Sequence, residues 1–214
     1  MGEYIQLLLS YDSQIFRLIN QVWIYPFFDK FMPFITEPKK TGIYLLVLIL
    51  ILLLKYRMSA VKVLIGMSIA VGLADFTAAK ILKPEFNRKR PEFSEPNVRL
   101  LVQSQTGGSF PSNHAANTFA AASFLRLTSP VLGSIATGIA IIVSYSRVYV
   151  GVHYPLDVIG GALLGIIYSS LIYYLLMYLF DRIGALQTRP TTYSPYNWEK
   201  KKRIKPKRKI KKKN

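Results

Sequence analysis

The stretch VIGGALLGIIYSSLIYYLLMYLF, residues 158–180, decides the fold class of this chain. It contains 23 consecutive residues without a charged side chain. A helix needs about 20 apolar residues to cross the hydrocarbon core of a bilayer, so this run alone is long enough to span a membrane. The alternative is a buried helix of a soluble protein, and the presence of several such runs in one chain argues against it.

Further apolar runs precede this stretch. We predict five membrane helices, near residues 42–56, 59–82, 114–127, 130–147 and 156–181. The apolar, aromatic segment 13–36 is interrupted by Pro26 and Pro33, and we expect it to form either a sixth, short span or a helix in the membrane interface. The predicted fold is therefore all-α, a polytopic membrane helix bundle with five to six spans.

Positive charge is concentrated at the C-terminal end. The formal net charge is +17, and the segment EKKKRIKPKRKIKKKN, residues 199–214, has eleven Lys or Arg residues against one Glu. Such runs are usually solvated and disordered, and beside a membrane helix they contact anionic lipid head groups. We predict a membrane domain over residues 1–185 and a disordered, basic cytoplasmic tail over residues 186–214, with anionic lipids and not nucleic acid as the partner of the tail.

The Lys and Arg residues also predict the orientation of the helices. A cytoplasmic tail places the start of the last helix on the outer side, and the same counting places the loop 83–113 outside and the turn 55–62 inside. The loop 83–113 and the stretch 146–157 should therefore lie on the same outer face. The loop is itself basic, although Lys and Arg are usually more frequent in cytoplasmic loops than in outer ones. We therefore expect the loop to have a function.

Three polar clusters are predicted on that outer face. The loop begins with KPEFNRKRP (residues 83–91) and ends with GGSFPSNH (residues 107–114), and the third cluster is SRVYVGVHYPLD (residues 146–157). Fixed cations beside exposed backbone N–H groups bind phosphate. A histidine held by a carboxylate is oriented and can act as a nucleophile or a base. The three clusters together predict a phosphate-binding active site.

The third cluster contains the candidate nucleophile. Pro155 suits the first turn of the last helix, so that His153 lies at the entrance to the helix and Asp157 lies four residues further on. The carboxylate can then accept from one ring nitrogen and leave the other free to attack, while Arg147 clamps the oxygens of the attacked group. His114, on the other side of the phosphorus, can protonate the leaving oxygen. This arrangement suits an in-line displacement through a phosphohistidine.

Composition restricts the possible cofactors. The chain has no cysteine and two histidines, which excludes disulfides, thiol chemistry and Cys-type metal sites and leaves few ligands for zinc. We therefore predict neither a metal nor another cofactor.

The three clusters, in this order, resemble the type 2 phosphatidic acid phosphatase superfamily, which also includes vanadium haloperoxidases. Lys83 to Pro91 match Lys, six residues, Arg-Pro, and Pro111 to His114 match Pro-Ser-x-His. Ser146 to Asp157 match Ser-Arg, five residues, His, three residues, Asp. The resemblance covers roughly residues 10–185. Each motif alone is a weak signal, but the ordered set of three with apolar helices between them is specific.

The resemblance implies a role for each matching residue. His153 would be the nucleophile, His114 the general acid and Asp157 the residue that orients His153. The phosphoryl oxygens would be bound by Lys83, Arg90, Arg147 and Ser112 and by the backbone at Asn113. Asn113 stands where the family usually has Gly, and the backbone contact survives this change because Asn tolerates unusual backbone conformations better than most residues.

The resemblance further implies an integral membrane lipid phosphatase of the bacterial inner membrane, acting on a phospholipid or glycolipid. Arg88, Lys89 and Arg99 add positive charge to the loop, which fits a bulky head group with several negative charges. The expected substrate is therefore lipid A 1-phosphate, with undecaprenyl diphosphate and phosphatidylglycerophosphate as alternatives. A transporter of an anionic lipid is less well supported, because it does not require two histidines and an aspartate. A haloperoxidase is disfavoured because those relatives are soluble.

Two further expectations concern charged residues outside the catalytic set. Arg88 and Lys89 are predicted to be solvated or to contact head groups. Asp75 lies in a predicted membrane helix, where an ionisable group is costly and needs a partner, and we expect that partner to be a cation of the loop.

Overall fold

The computed structural model describes residues 2–37, 53 and 58–186. Within these residues the secondary structure is helical and contains no strand, which confirms the predicted all-α class. The predicted helix near 42–56, apart from Leu53, and the tail beyond Leu186 lie outside the described residues.

The helices follow the order that the apolar runs predict. The N-terminal part contains α1 (Gly2–Arg17), the π-helical turn π1 (Leu18–Val22) and α2 (Pro26–Thr36). The long helix α3 (Met58–Phe76) continues through π2 (Thr77–Leu82) into the short helix α4 (Lys83–Phe86), and α5 (Pro91–Ser94) lies in the following loop. The last three helices are α6 (Asn113–Thr128), α7 (Pro130–Tyr149) and α8 (Pro155–Leu186).

Three helical stretches of the described residues are long and apolar enough to cross a membrane: Ala60–Ser94, Pro130–Tyr149 and Pro155–Phe180. Helix α6, which the sequence predicts to be short, has 16 residues. At about 1.5 Å per residue it is shorter than the ~30 Å hydrocarbon core. Four of its five alanines are buried among the longer helices. The chain is a multi-pass membrane protein with a short helix enclosed in the bundle.

The N-terminal segment forms two short helices, and its proline pattern was only partly interpreted correctly. Helix α2 begins at Pro26, as expected for a residue that suits the first helical position. Pro33 was expected to interrupt the segment, but it lies inside α2, which continues to Thr36. A proline removes one backbone hydrogen bond, and here that loss falls close to the end of the helix. With 16 and 11 residues, neither α1 nor α2 alone is long enough to cross a bilayer core.

Helices α6 and α8 cross in close contact because small residues of α8 face α6. A Cβ atom at Gly161 would lie 2.4 Å from the carbonyl oxygen of Ser112, and one at Gly165 would lie 2.3 Å from that of Ala116. One turn further on, Ser169 Oγ donates to the carbonyl of Ala120 at 2.6 Å. Small residues at four-residue spacing permit this approach between membrane helices. The contact places Ser112 beside the first turn of α8.

A second core joins the N-terminal helices to the segment between α7 and α8. Its buried side chains come from three places along the chain, namely Phe16 and Ile19, Met32, and the group Val148, Tyr149, Val150, Val152 and Tyr154. This core supports the short connection that carries His153.

Candidate active site

The connection between α7 and α8 presents His153 to the interior of the bundle. Gly151 has a φ of 90°, a left-handed conformation that favours glycine, and a Cβ there would lie 2.7 Å from the carbonyl oxygen of Arg99. After this turn, His153 is 1% exposed and Asp157 is 0% exposed. The two residues therefore face each other in the interior, as the four-residue spacing predicts.

The contact between these two residues is longer than a tight hydrogen bond. His153 Nδ1 lies 3.4 Å from Asp157 Oδ2, and Nδ1 has no hydrogen-bond partner among the described residues. Oδ2 instead accepts from the backbone N–H of Tyr154 at 2.9 Å. Catalytic hydrogen bonds are often long in a ligand-free enzyme and shorten in the complex. The geometry thus brings the pair together, with Nδ1 facing the carboxylate.

The environment of His153 favours the neutral imidazole. Burial is the main cause that lowers the pKa of His153 to about 3; Asp157 opposes it, and the positive charges of Arg147 and Arg90 act in the same direction as burial. The other ring nitrogen, Nε2, lies 3.4 Å from Arg90 Nη1. A neutral imidazole retains the lone pair that nucleophilic attack requires.

The three predicted phosphate-binding cations have no carboxylate partner in the described part of the chain. Lys83 Nζ donates to the carbonyl of Gly108 at 2.9 Å, and Arg90 Nε donates to that of Gly107 at 3.1 Å. Arg147 Nη1 donates to Thr36 Oγ1 at 2.7 Å, while its Nε and Nη2 atoms are buried without a partner. Cations held in this way keep their positive charge available to an anion.

Ser112 and the start of α6 add uncharged donors. Ser112 precedes the first residue of α6 and makes no side-chain capping bond, and its Oγ atom is buried without a partner. Its backbone N–H donates to the carbonyl oxygen of Asp157 at 2.9 Å. The first N–H groups of a helix lack intrahelical partners and attract anions. The unpaired atoms of Ser112 and Arg147 are therefore suited to bind an anionic group at this helix end.

One cavity of about 450 Å³ connects these elements. It is lined by five of the predicted site residues and by the loop 105–108; the five are Lys83, Arg90, Asn113, His114 and His153. The other three, Ser112, Arg147 and Asp157, are buried and do not line the cavity. The structure thus places both histidines and two cations at one cavity.

The expectation that Arg88 is solvated was wrong. Arg88 donates from Nη1 to Asp157 Oδ1 at 2.7 Å and from Nη2 to Asp12 Oδ2 at 2.5 Å. Its guanidinium also lies 4.1 Å from the ring centre of Tyr154. A guanidinium between two buried carboxylates is drawn inward by charge pairing. Lys89, by contrast, is exposed, as expected.

Arg99 and Asp75 also have partners that the sequence did not reveal. Arg99 forms a partly exposed ion pair with Asp29 at 2.7 Å, so its charge is balanced by a carboxylate of α2, and Arg99 does not line the cavity. Asp75 Oδ1 accepts from Asn113 Nδ2 at 2.8 Å and from Asn117 Nδ2 at 2.9 Å. The predicted partner of Asp75, a loop cation, was therefore wrong, because two amide donors one helical turn apart satisfy the carboxylate.

The N-terminal helices contribute side chains that sequence reasoning missed. Thr36 accepts from Arg147 of the predicted site, and Asp12 accepts from Arg88, which also donates to Asp157. Asn20 joins the backbone of Arg99 to that of Tyr149 at 2.9 and 2.7 Å. One signal was available, because Asp12 and Asp29 are ionisable residues in a largely apolar segment and such residues need partners.

The membrane helices and the cavity define a class of protein: a helical membrane enzyme whose buried cations and unpaired donors suit a phosphate group. The chain belongs to the PAP2 superfamily, whose family model matches residues 59–181. It is a phosphatase, a hydrolase of phosphate esters, and the predicted family resemblance is thereby confirmed.

Relatives of known description agree with this assignment. The chain is 36% identical to an undecaprenyl-diphosphatase of Sulfolobus acidocaldarius, over 73% of this chain and 74% of that protein. It is 31% identical to a lipid A 4'-phosphatase of Bacteroides thetaiotaomicron, over 84% and 83% of the two chains. The crystal structure of Aquifex aeolicus LpxE matches with a TM-score of 0.61 and 30% identity, covering 75% of this chain and 93% of that one.

Proposed function

We propose that this phosphatase removes the terminal phosphate of a long-chain prenyl diphosphate, with undecaprenyl diphosphate as the representative substrate. The single observation that carries this choice is the pairing of Arg88 with Asp12 and Asp157 and of Arg99 with Asp29. Arg88 and Arg99 are two of the three loop cations, with the exposed Lys89, that were the basis for expecting lipid A 1-phosphate. Their charges are neutralised within the protein, so the argument for that substrate loses its main support.

The remaining free charge favours two adjacent phosphates over two distant ones. Lys83 and Arg90 line the cavity. Arg147, which is buried and does not line it, acts electrostatically on both His114 and His153. In a prenyl diphosphate the two phosphoryl groups are neighbours, so a single group of cations serves both. In lipid A the phosphorylated positions lie at opposite ends of a disaccharide, and a second phosphate would need cations elsewhere. The undecaprenyl-diphosphatase relative supports the same choice.

The proposed first step is attack by His153 Nε2 on the terminal phosphorus. The nitrogen forms a bond to phosphorus, the bond from phosphorus to the bridging oxygen breaks, and the leaving phosphate takes a proton from His114. Asp157 stabilises the positive charge that develops on the imidazole of His153. Lys83, Arg90, Arg147, Ser112 and the backbone N–H of Asn113 stabilise the transferring phosphoryl oxygens.

The proposed second step returns the enzyme to its starting state. Water attacks the phosphorus of the phosphohistidine, the bond from nitrogen to phosphorus breaks, and His114 takes up the proton of the water. The products are prenyl monophosphate and inorganic phosphate. No step uses a metal ion, so phosphate release should persist in EDTA.

The proposed location is the inner membrane of a bacterium, with the cavity on the outer side and the C-terminus in the cytoplasm. The basis is the distribution of Lys and Arg. A reporter fused after residue 214 should be cytoplasmic, and a tag near residue 97 should be external. If both lie on one side of the membrane, the proposed orientation is wrong.

The substrate is tested by comparing three lipids with purified protein in detergent and EDTA. Undecaprenyl diphosphate, lipid A 1-phosphate and phosphatidylglycerophosphate are assayed side by side for release of inorganic phosphate, with His153→Ala as the control. We expect the highest kcat/KM for undecaprenyl diphosphate. A higher kcat/KM for lipid A 1-phosphate would contradict the proposed substrate and leave the phosphatase reaction intact.

A further inference from the structure

Three charged side chains connect helix α1 to the candidate nucleophile. Arg88 lies between two carboxylates, at 2.5 Å from Asp12 and 2.7 Å from Asp157. Asp12 is 2% exposed and Asp157 is 0% exposed. Asp12 belongs to α1 and lies outside residues 59–181, the range that matches the family model. No sequence motif therefore assigns it a role.

Asp12 also contacts the helix that carries Asp157. Its Oδ1 atom accepts from the backbone N–H of Leu156 at 2.8 Å, in the first turn of α8. N–H groups in the first turn of a helix have no partner within the helix, so Asp12 supplies a partner to that turn. One carboxylate thus fixes both the start of α8 and the guanidinium of Arg88.

Arg88 is held on its remaining sides as well. Its carbonyl oxygen accepts from the backbone N–H of Ser109 at 2.8 Å, and its guanidinium stacks on the ring of Tyr154. The backbone N–H of Tyr154 in turn donates to the second carboxylate oxygen of Asp157. Both oxygens of Asp157 therefore have fixed donors, and one of these donors depends on Asp12.

The charges of this group bear directly on His153. If Arg88 faced Asp157 alone, its positive charge would neutralise the carboxylate that faces the imidazole. Asp12 supplies a second negative charge, so the group of Asp12, Arg88 and Asp157 retains one net negative charge beside His153. Opposite charges within a few ångströms stabilise each other, most strongly where water is excluded.

We propose that Asp12 is a positioning residue of the active site. It fixes Arg88, and through Arg88 it sets the orientation and the negative charge that Asp157 presents to His153. This inference rests on the proposed roles of His153 and Asp157. It makes helix α1 a part of the active site.

The test is Asp12→Asn, which keeps an acceptor for the N–H of Leu156 and removes the charge. The groups facing His153 are Asp157 from α8, Arg90 from the loop and Arg147 from α7, and Lys83 also acts on Asp157. With Asp12 neutral, Arg88 is balanced by Asp157 alone. We expect kcat to fall about tenfold to a hundredfold, since small misplacements of reacting groups have effects of that size. KM should change little, because Asp12 does not line the cavity.

The pH profile separates positioning from simple stabilisation of the fold. In Asp12→Asn the uncompensated charge of Arg88 should lower the pKa of His153, so the acid limb of kcat/KM shifts to lower pH. In Arg88→Gln two carboxylates remain without their cation, and the acid limb should shift to higher pH. Opposite shifts from the two variants would not arise from a loss of folding.

Arg17→Gln is the matched control. Arg17 lies on the same helix as Asp12, and its Nε atom forms an ion pair with Glu95 at 2.7 Å. It has no contact with Asp157. We expect Arg17→Gln to retain the wild-type kcat and pH profile when assayed, like the other variants, with undecaprenyl diphosphate and 4-nitrophenyl phosphate.

The outcomes distinguish this inference from the proposed function. Two results would overturn the role of Asp12. One is a wild-type kcat in Asp12→Asn. The other is a loss of kcat that Arg17→Gln shares and that parallels a loss of thermal stability. Shifts of the acid limb in the same direction in Asp12→Asn and Arg88→Gln would also overturn it. A wild-type protein that released no phosphate from either compound would overturn the proposed function itself.

Discussion

Arg147 Nη1 donates a hydrogen bond of 2.7 Å to Thr36 Oγ1, so a cation of the family motif is held by the last residue of helix α2. The backbone of Thr36 also lies near the ring of His114 and acts on it electrostatically. Thr36 is 3% exposed. A residue far from the motifs along the chain thus joins a predicted phosphate-binding side chain to the predicted general acid.

Thr36→Val tests this relationship. Valine has nearly the same shape but offers no acceptor to Arg147, and a buried charged donor without its partner costs about 1–3 kcal/mol. We expect a lower melting temperature and a higher KM for phosphate esters, with a smaller change in kcat. Thr36→Ser keeps the hydroxyl and is the control. Equal KM values in the two variants would show that the hydroxyl does not position Arg147.

Gly165→Ala tests the crossing of α6 and α8. The added Cβ would lie 2.3 Å from the carbonyl oxygen of Ala116 and 2.7 Å from the nitrogen of Ala120. Because these are backbone atoms, the helices must separate, at a cost of about 1–3 kcal/mol. We expect a lower melting temperature and a lower kcat, since α6 carries His114.

Gly138→Ala is the matched control for this substitution. Gly138 lies in helix α7, and a Cβ there meets no atom within 4 Å. The substitution should leave activity unchanged and alter stability by no more than ~1 kcal/mol through helix propensity. Equal effects of the two substitutions would contradict the close crossing.

The pH dependence of the reaction should reflect the burial of His153. The imidazole attacks when neutral, which is the form present above its pKa. Because burial lowers that pKa to about 3, protonation of His153 should not limit the reaction at pH 5. We expect kcat/KM for 4-nitrophenyl phosphate, corrected for the ester's own ionisation near pH ~6, to stay level between pH 6 and about 5. An acid limb centred near ~6.5, the ordinary value for histidine, would contradict the environment described for His153.

His114→Ala should affect substrates according to their leaving groups. A sugar or glycerol hydroxyl, such as the one released from phosphatidylglycerophosphate, leaves with a proton, and loss of a general acid reduces the rate of such a step about 100-fold or more. A nitrophenolate leaves without a proton, so 4-nitrophenyl phosphate should lose much less. The measurement is kcat for both substrates in wild type and variant. Equal losses would indicate that His114 binds phosphate or supports the fold and does not act as the acid.

Local sequence patterns were sufficient for the three membrane-spanning stretches of the described residues and for the proximity of His153 and Asp157. His153 lies two residues before α8 and Asp157 lies in its first turn, so a short, local stretch of backbone brings the two side chains together. The apolar run 158–180 likewise predicts its helix without tertiary information. Both features depend on neighbours along the chain, and the structure contains the last helix and brings His153 Nδ1 to 3.4 Å from Asp157 Oδ2.

The contacts of Arg88 and Arg99 were not predictable in the same way. Arg88 pairs with residues 76 and 69 positions away, Asp12 and Asp157, and Arg99 pairs with Asp29 at a separation of 70. Such contacts depend on how α1 and α2 pack against the loop, which no periodicity in the sequence records. Counting loop cations therefore overestimated the positive charge available to the substrate, and the substrate expectation changed with it.

The most direct test is to trap the phosphorylated enzyme. Protein is mixed with a phosphate ester labelled in the phosphoryl group, quenched in alkali, where phosphohistidine is stable, and digested for mass spectrometry. We expect the label on His153 in wild type and no label in His153→Ala. In a His114→Ala variant given 4-nitrophenyl phosphate we expect more label than in wild type, if water activation is slowed. Label on another residue, or a His153→Ala variant whose turnover stays within about tenfold of wild type, would contradict the assignment of His153 as the nucleophile.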